Sequence, residues 1–322
     1  MNRPMLTALA LLAALAPSAQ AQKPHVAAGW PVQVVGSEVS SPLLLDLDGD
    51  PELELVVAAG NQSIGSKVHA WNPDGSPVPG WPVNLPGVVA GTAGGDLDGD
   101  GDLEVVLTAR SSAQGWSQLY AVHHDGTLAT GFPIHRPGPL GRPSLGDLDG
   151  DGDLEIAMRE DHALTDGVHL VQGDGSSLPG WPRVLGAQAL SDVTLGDVDG
   201  DGTPEVVIAA ANELHVLRRD GSELPGFPVA NPGDFWFQGP VVLADLDADG
   251  DTELIVCTRD TVFADDAPVW VLDHTGANHP GWPRVLNASA YAPPAVADLD
   301  GDGRLEVVVV GGIDGVLPRL YA

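Results

Sequence analysis

One acidic string returns at a step of about fifty residues and limits what this chain can fold into. The string is Asp-x-Asp-x-Asp, and its first residue falls at Asp46, Asp96, Asp147, Asp197, Asp245 and Asp298, at intervals of 50, 51, 50, 48 and 53. A second string, Gly-(Trp/Phe)-Pro, begins at Gly29, Gly80, Gly131, Gly180, Gly226 and Gly281, at intervals of 51, 51, 49, 46 and 55. Two independent markers on one period mean that the chain repeats a single supersecondary unit. Such a unit cannot bury its apolar face alone and must stack on its neighbours.

Each unit reads as four short strands, a to d. In the second copy they are Thr92 to Gly95, Leu103 to Thr108, Gln118 to Val122 and Phe132 to His135. They are rich in Val, Leu and Ile and are punctuated by Asp-Gly and Pro-Gly turns, and no helical period competes with them. Four strands per unit, repeated radially, predict an all-β chain: a six-bladed β-propeller of four-stranded antiparallel blades. After its first segment the chain begins with a strand d, Trp30 to Val35, and it stops with a strand c, Arg319 to Ala322. Pairing the N-terminal strand with the last blade closes the ring and covers two otherwise open edges. A seventh blade, supplied by a longer protein, is the alternative.

Residues 1–21 read as a secretory signal, with Arg3 as the charged start, an apolar run from Met5 to Ala16 and small residues at Ala19 and Ala21. The propeller domain is then residues 22–322, in an extracellular or periplasmic location. No apolar run is long enough to span a bilayer as a helix. Lys and Arg number 14 against 45 Asp and Glu, a formal charge of −31. A nucleic-acid partner is excluded on that balance, because phosphate binding needs basic residues.

The acidity is not spread evenly. In the second copy, Asp96-Leu97-Asp98-Gly99-Asp100-Gly101-Asp102-Leu103-Glu104, carboxylates stand at positions 1, 3, 5 and 9. Hard oxygen donors around a glycine-permitted turn suit Ca²⁺, and without a cation four such carboxylates repel one another. The loop is not an EF-hand, because position 12 is apolar and the acid at position 9 runs into a strand. The metal-ligand candidates are Asp46, Asp48, Asp50 and Glu54; Asp96, Asp98, Asp100 and Glu104; Asp147, Asp149, Asp151 and Glu155; Asp197, Asp199, Asp201 and Glu205; Asp245, Asp247, Asp249 and Glu253; and Asp298, Asp300, Asp302 and Glu306. They predict up to six Ca²⁺. The first loop is the odd one, because Pro51 takes position 6, where glycine relaxes the turn in other copies. The fifth has Ala248 at position 4, and the sixth has Arg304 at position 7.

The loop Asp-Leu-Asp-Gly-Asp-Gly-x-x-Glu, leading into a Val/Ile-rich strand at this period, resembles the FG-GAP and VCBS repeats of integrin α-subunit propellers and secreted bacterial proteins. The resemblance covers about residues 29 to 322. It implies a calcium-loop propeller, with calcium at the loop positions just named, and it implies no particular activity. The Phe-Gly and Gly-Ala-Pro strings of that family are largely absent, and Gly-Trp-Pro stands as a variant.

Catalytic signatures are missing: there is no Gly-x-Ser-x-Gly elbow and no phosphate loop, and Cys257 is alone. His69, His169 and His215 share one strand c slot with Tyr120, Trp270 and Tyr321, and Trp30, Trp81, Phe132, Trp181, Phe227 and Trp282 share another. Both sets read as packing. What does not repeat falls on the face away from the acidic loops. The run Phe235-Trp236-Phe237 in the fourth d–a loop, with Trp116, Arg110, Arg159, Arg259 and Tyr291, is the candidate partner surface for an extracellular protein or glycan. The leading expectation is a recognition or adhesion module. A calcium-dependent polysaccharide lyase or hydrolase, and a structural spacer in a surface assembly, are the alternatives.

Overall fold

Short β-branched runs bounded by tight turns can satisfy their backbone groups only by pairing with near neighbours, and they do so here as local antiparallel meanders. The structure is a computed structural model that describes residues 27–111, 115–162, 167–189, 191–232, 235–260, 268–286, 289–290, 292–312 and 319–321. The signal segment at residues 1–21 lies outside the described residues.

Six antiparallel sheets follow one another along the described chain. The first holds Glu38–Val39, Leu43–Leu45, Glu54–Asn61, Gly65–Trp71 and Val83–Leu85; the second holds Val88–Gly95, Glu104–Ser111, Trp116–Val122 and Ile134–Arg136. The third holds Ser144–Gly146, Glu155–Glu160, Gly167–Val171 and Arg183–Val184; the fourth holds Thr194–Gly196, Glu205–Ala210, Glu213–Leu217 and Val229–Ala230. Phe235–Ala244, Glu253–Asp260, Pro268–Leu272 and Arg284–Val285 form the fifth. Ser289–Ala290, Ala295–Ala297, Glu306–Gly312 and Arg319–Tyr321 form the sixth. No helix occurs among the described residues. In the first and last sheets, strand a is split into two pieces that both pair with strand b.

The core lies between sheets. Leu45, Val56 and Val68 of the first sheet bury against Val105, Leu107 and Tyr120 of the second. The second and third meet through Val106, Leu119, Ile156 and Met158, and the third and fourth through Val168, Leu170, Val206 and Ile208. Phe237, Leu254 and Trp270 cover Val207 and Val216 at the next seam. The b and c strands of the second to fifth sheets are thus sandwiched by neighbours, which explains why Glu104–Ser111 is buried along nearly its whole length instead of alternating.

The Gly-(Trp/Phe)-Pro segments lock these seams. Trp81 Nε1 donates to the His124 carbonyl at 2.9 Å, and Trp181 Nε1 donates to the Arg219 carbonyl at 2.6 Å, each in the c–d turn of the following sheet. The preceding glycine has φ near +90° at Gly80 and Gly180 and approaches that turn so closely that a Cβ on Gly80 would overlap the Asp125 carbonyl. All six aromatic–proline bonds are cis.

The expected closing strand differs. Trp30 to Val35 forms no ladder, and no strand pair or buried cluster joins the first and sixth sheets among the described residues. The d strands here are only two or three residues long, so each depends on a well-placed c strand. In the sixth sheet the described part of strand c is Arg319–Tyr321. Trp30 Nε1 instead donates to the Pro73 carbonyl in the first sheet's c–d turn at 2.9 Å, the contact that Trp81 and Trp181 make one and three units later.

Candidate metal centres

The ladder register fixes where each acidic loop starts and ends. Leu45 pairs with Glu54, Gly95 with Glu104, Gly146 with Glu155, Gly196 with Glu205, Ala244 with Glu253 and Ala297 with Glu306. Position 9 is therefore the first strand b residue, and the loop is the a–b connection. Its glutamate turns back into the loop and accepts the backbone N–H of position 2 in all six copies. The distances run from 2.6 Å at Leu246–Glu253 to 2.9 Å at Leu97–Glu104 and Val198–Glu205.

The aspartates divide the remaining work. Position 1 accepts backbone N–H groups within the loop, as from Gly99 and Gly101 to Asp96 at 2.8 and 3.0 Å. Position 5 accepts from position 7, as from Asp102 to Asp100 at 2.9 Å. The position 6 N–H bond recurs at Gly152, Gly202, Gly250 and Gly303, and Pro51 has no N–H to make it, so the first loop loses one internal tie. Among the described residues position 3 caps backbone only in the sixth loop, where Asp302 N donates to Asp300 at 3.1 Å. Asp149 Oδ1 and Asp199 Oδ1 at position 3, and Asp245 Oδ1 at position 1, are shut off from solvent with no hydrogen-bond partner among the described residues.

Ligand atoms of Asp46, Asp48 and Asp50, of Asp96, Asp98 and Glu104, of Asp147, Asp149 and Glu155, and of Asp197, Asp199 and Glu205 gather within 4.8 Å in their four loops. In the fifth loop the gathered set is Asp247, Glu253 and His279. Hard carboxylate oxygens, some buried and unpartnered, fit a divalent cation of the calcium type. The electrostatics agree with that fit. Burial, followed by the neighbouring aspartates, lifts Glu54, Glu104 and Glu253 above the ordinary carboxylate range even though a backbone N–H opposes it. The same causes push Glu155 and Glu205 up to about 7.

Sequence reading missed what the c–d turns bring to the loops. His123 Nδ1 lies 2.9 Å from Glu104 Oε1, and its pKa is raised: burial lowers it, but the Glu104 bond together with the charges of Glu104, Asp98 and Asp125 outweighs that. Arg219 Nη2 lies 2.9 Å from Asp149 in the preceding unit's loop, and Arg218 lies 3.5 Å from Asp199. These residues follow strand c at repeat positions that vary in type. That variation was the available signal, but nothing in the sequence says which loop each one meets.

The partner candidates sit at the other end of the strands. Trp236 faces Arg259 across the ladder, with the guanidinium 5.3 Å from the ring centre. Trp116 is half-buried, edge-on to His135 at 5.7 Å, and lines a shallow cleft with Arg110, Ser117 and Gly138. Phe235 is half-buried. Two expectations change. The aromatic run belongs to strand Phe235–Ala244, not to a loop, and Phe237 is fully buried against Trp270, because strand alternation turns it inward while Trp236 faces out. Arg159 is held 3.5 Å from Asp192, so part of its charge is engaged. Tyr291 lies outside the described residues. The strand c histidines do pack: His69 stacks on Trp71 at 4.9 Å, and His169 is buried 2.9 Å from Glu160. Cys257 is buried and its thiol is pushed up to about 12.

An FG-GAP-like repeat family model matches residues 46–107, 96–158 and 197–256, more than half of the chain. The chain belongs to the FG-GAP-like repeat family. Each match takes in acidic loops and the b strands that follow them, so the family signature and the candidate metal centres coincide. Comparison with curated proteins finds no match. Among solved structures, the FG-GAP-like chain is similar to the Vibrio cholerae biofilm matrix protein Bap1, with a TM-score of 0.52 and 20% identity over 80% of this chain. It spans 41% of the Bap1 chain. A weaker likeness links it to the C-terminal domain of Pseudomonas aeruginosa PilY1, with a TM-score of 0.45 and 11% identity over 87% of this chain and 81% of that one. The all-β, propeller-like architecture is common ground with the first. No described helix is long and apolar enough to cross a membrane.

Proposed function

We propose that this FG-GAP-like chain is an exported, calcium-stabilised six-bladed propeller that recognises an extracellular protein or glycan with the face opposite its acidic loops. The observation that carries the reading is the division of labour in the loops. Aspartates 1 and 5 and the glutamate at position 9 tie down the backbone, while the position 3 carboxylate makes no described backbone bond in the first five loops and keeps a buried, unpartnered oxygen at Asp149 and Asp199. Calcium would be held by the Asp and Glu residues of each loop, and its charge would offset their mutual repulsion. The chain's own part is to hold each hairpin in register through the glutamate at position 9.

Ring closure is part of the proposal. Trp30 already occupies the seam contact of a preceding blade's Gly-Trp-Pro segment, so residues 31–35 are the natural strand d of the sixth sheet. Exposed apolar side chains also concentrate at the two ends, at Val35, Val39, Leu44, Leu299, Val310 and Leu320. Joining the ends buries that surface.

For recognition, Trp236 under Arg259 and Trp116 beside Arg110 offer half-buried aromatic faces rimmed by cations, a combination that suits planar or sugar-ring contacts. Bap1, described as a biofilm matrix protein, makes extracellular polysaccharide a sensible first probe. The test is a panel of acidic and neutral polysaccharides with wild type and Trp236→Ala in calcium. Saturable binding weakened by the variant is expected. Binding that Trp236→Ala and Arg110→Ala both leave intact refutes this face, and turnover of the polysaccharide would replace recognition with an enzyme.

A further inference from the structure

The fifth loop does not match its siblings. In the c–d hairpin, one slot carries a buried apolar side chain in four sheets: Val78, Ala129, Leu178 and Leu224, each 7% exposed or less. In the fifth sheet that slot is His279, which is half-exposed. Its backbone still makes the hairpin bond, with His279 N donating to the Val271 carbonyl at 2.9 Å as Leu224 N does to Val216. The hairpin is therefore unchanged, and only the side chain is new. It falls where a ring nitrogen lies within 4.8 Å of ligand oxygens from both Asp247 and Glu253.

Two further observations concern the same loop. Glu253 is 2% exposed, with one oxygen tied to Leu246 N at 2.6 Å. Asp245 Oδ2 accepts from Gly250 at 3.2 Å, while Oδ1 is buried without a hydrogen-bond partner among the described residues. In the first, second, third and sixth loops the glycine at position 4 donates to this oxygen, and in the fourth Asp201 N does. Ala248 replaces that glycine in the fifth loop, and Asp245 Oδ1 is left for another positive partner.

We propose that the fifth loop is a site for a divalent transition cation of the zinc class, with His279 as nitrogen ligand beside Asp247 and Glu253, in the loop where Asp245 Oδ1 is also left unpartnered. Calcium takes hard oxygen donors and gains little from imidazole, whereas neutral imidazole with carboxylates is a preferred set for Zn²⁺. The other named clusters contain only carboxylates, so the chain would carry two kinds of cation site. His274 lies 3.0 Å from Asp251 in the same loop and pairs with a carboxylate outside the named set. The proposal rests on the acidic loops being cation sites, and the test separates the two ideas.

The chelator-stripped full chain is dialysed against Zn²⁺ in excess Ca²⁺, and Co²⁺ is then used as a spectroscopic stand-in. Wild type is expected to retain one equivalent of Zn²⁺ under calcium and to give a Co²⁺ absorption band that Zn²⁺ abolishes. His279→Leu restores the residue type that two other sheets carry in this slot, so it is expected to fold and to melt no lower in calcium. It should lose the cobalt band and weaken Zn²⁺ binding by at least about tenfold, as loss of a metal-site partner does. A zinc equivalent that excess calcium displaces, or a cobalt band unchanged in His279→Leu, overturns the proposal. Zinc retention in a chain that binds no calcium would leave His279 as a ligand and refute the calcium reading instead. If His279→Leu melts lower, His279→Asn decides by the same band, because it removes the imidazole while keeping a polar side chain.

Discussion

Glu205→Gln should change the sign of its effect with calcium. Glu205 is 2% exposed and accepts the Val198 N–H at 2.9 Å, a bond that a glutamine oxygen can keep. Burial first, then Asp199, Asp201 and Asp197, raise its pKa from 4.5 to about 7 against the opposing backbone bond. An acid whose folded pKa is raised contributes stability that is present below the unfolded value and lost as pH rises through the folded one. At pH 8 in chelator, ionised Glu205 therefore costs up to about 3 kcal/mol. Gln removes that cost but buries an amide imperfectly, at roughly 1 kcal/mol. The net gain is about 1–2 kcal/mol, or a melting point higher by roughly 2–4 °C at about 2 °C per kcal/mol. In calcium at about a hundred times the dissociation constant, one occupied site adds about 2.7 kcal/mol, and Gln forfeits most of it. Thermal melts of wild type and Glu205→Gln at pH 8, in chelator and in calcium, read both signs. A variant that shifts the same way in both conditions refutes the reasoning, because then Glu205 acts as packing and not as a ligand.

Other outcomes follow from the same geometry. The chelator-stripped chain should melt higher at pH 5 than at pH 8, because Glu155 and Glu205, both near 7, lose their contribution as pH rises through that value, and calcium should flatten the difference. Trp81→Ala should cost about 3–5 kcal/mol in urea unfolding, because it empties a buried seam position. Trp81→Phe, the residue type that Phe132 and Phe227 show in the same slot, should cost only about 1 kcal/mol for the lost bond to the His124 carbonyl. Arg219→Ala should tighten one calcium site in calorimetry at low salt, because the guanidinium 2.9 Å from Asp149 competes with a bound cation there.

The period of the acidic string and the Val-rich runs after it were enough to determine the unit. Four strands, their antiparallel order and the a–b position of the loop follow from local sequence, because hairpins are set by short-range turns and alternation. Six copies in register point to the same acids in every loop, but the structure gathers differing subsets of them, without the position 5 aspartate in the second to fourth loops and with His279 in the fifth. Tertiary structure decided how the copies differ. Phe237 looked like surface, but strand pairing with Thr258 turns it into the core, and the bulge after Gln238 lengthens that strand beyond the loop that the sequence suggested. Which c–d turn meets which loop depends on how successive sheets stack, and that stacking brings Arg219 to a loop 70 residues back. His279 carried no signal in the sequence, and it reaches Asp247 and Glu253 because the c–d hairpin of its own sheet folds back beside the a–b loop. A repeat sequence specifies each unit through contacts a few residues apart. The chemistry that makes one unit unlike the next comes from side chains that meet only once the sheets are packed.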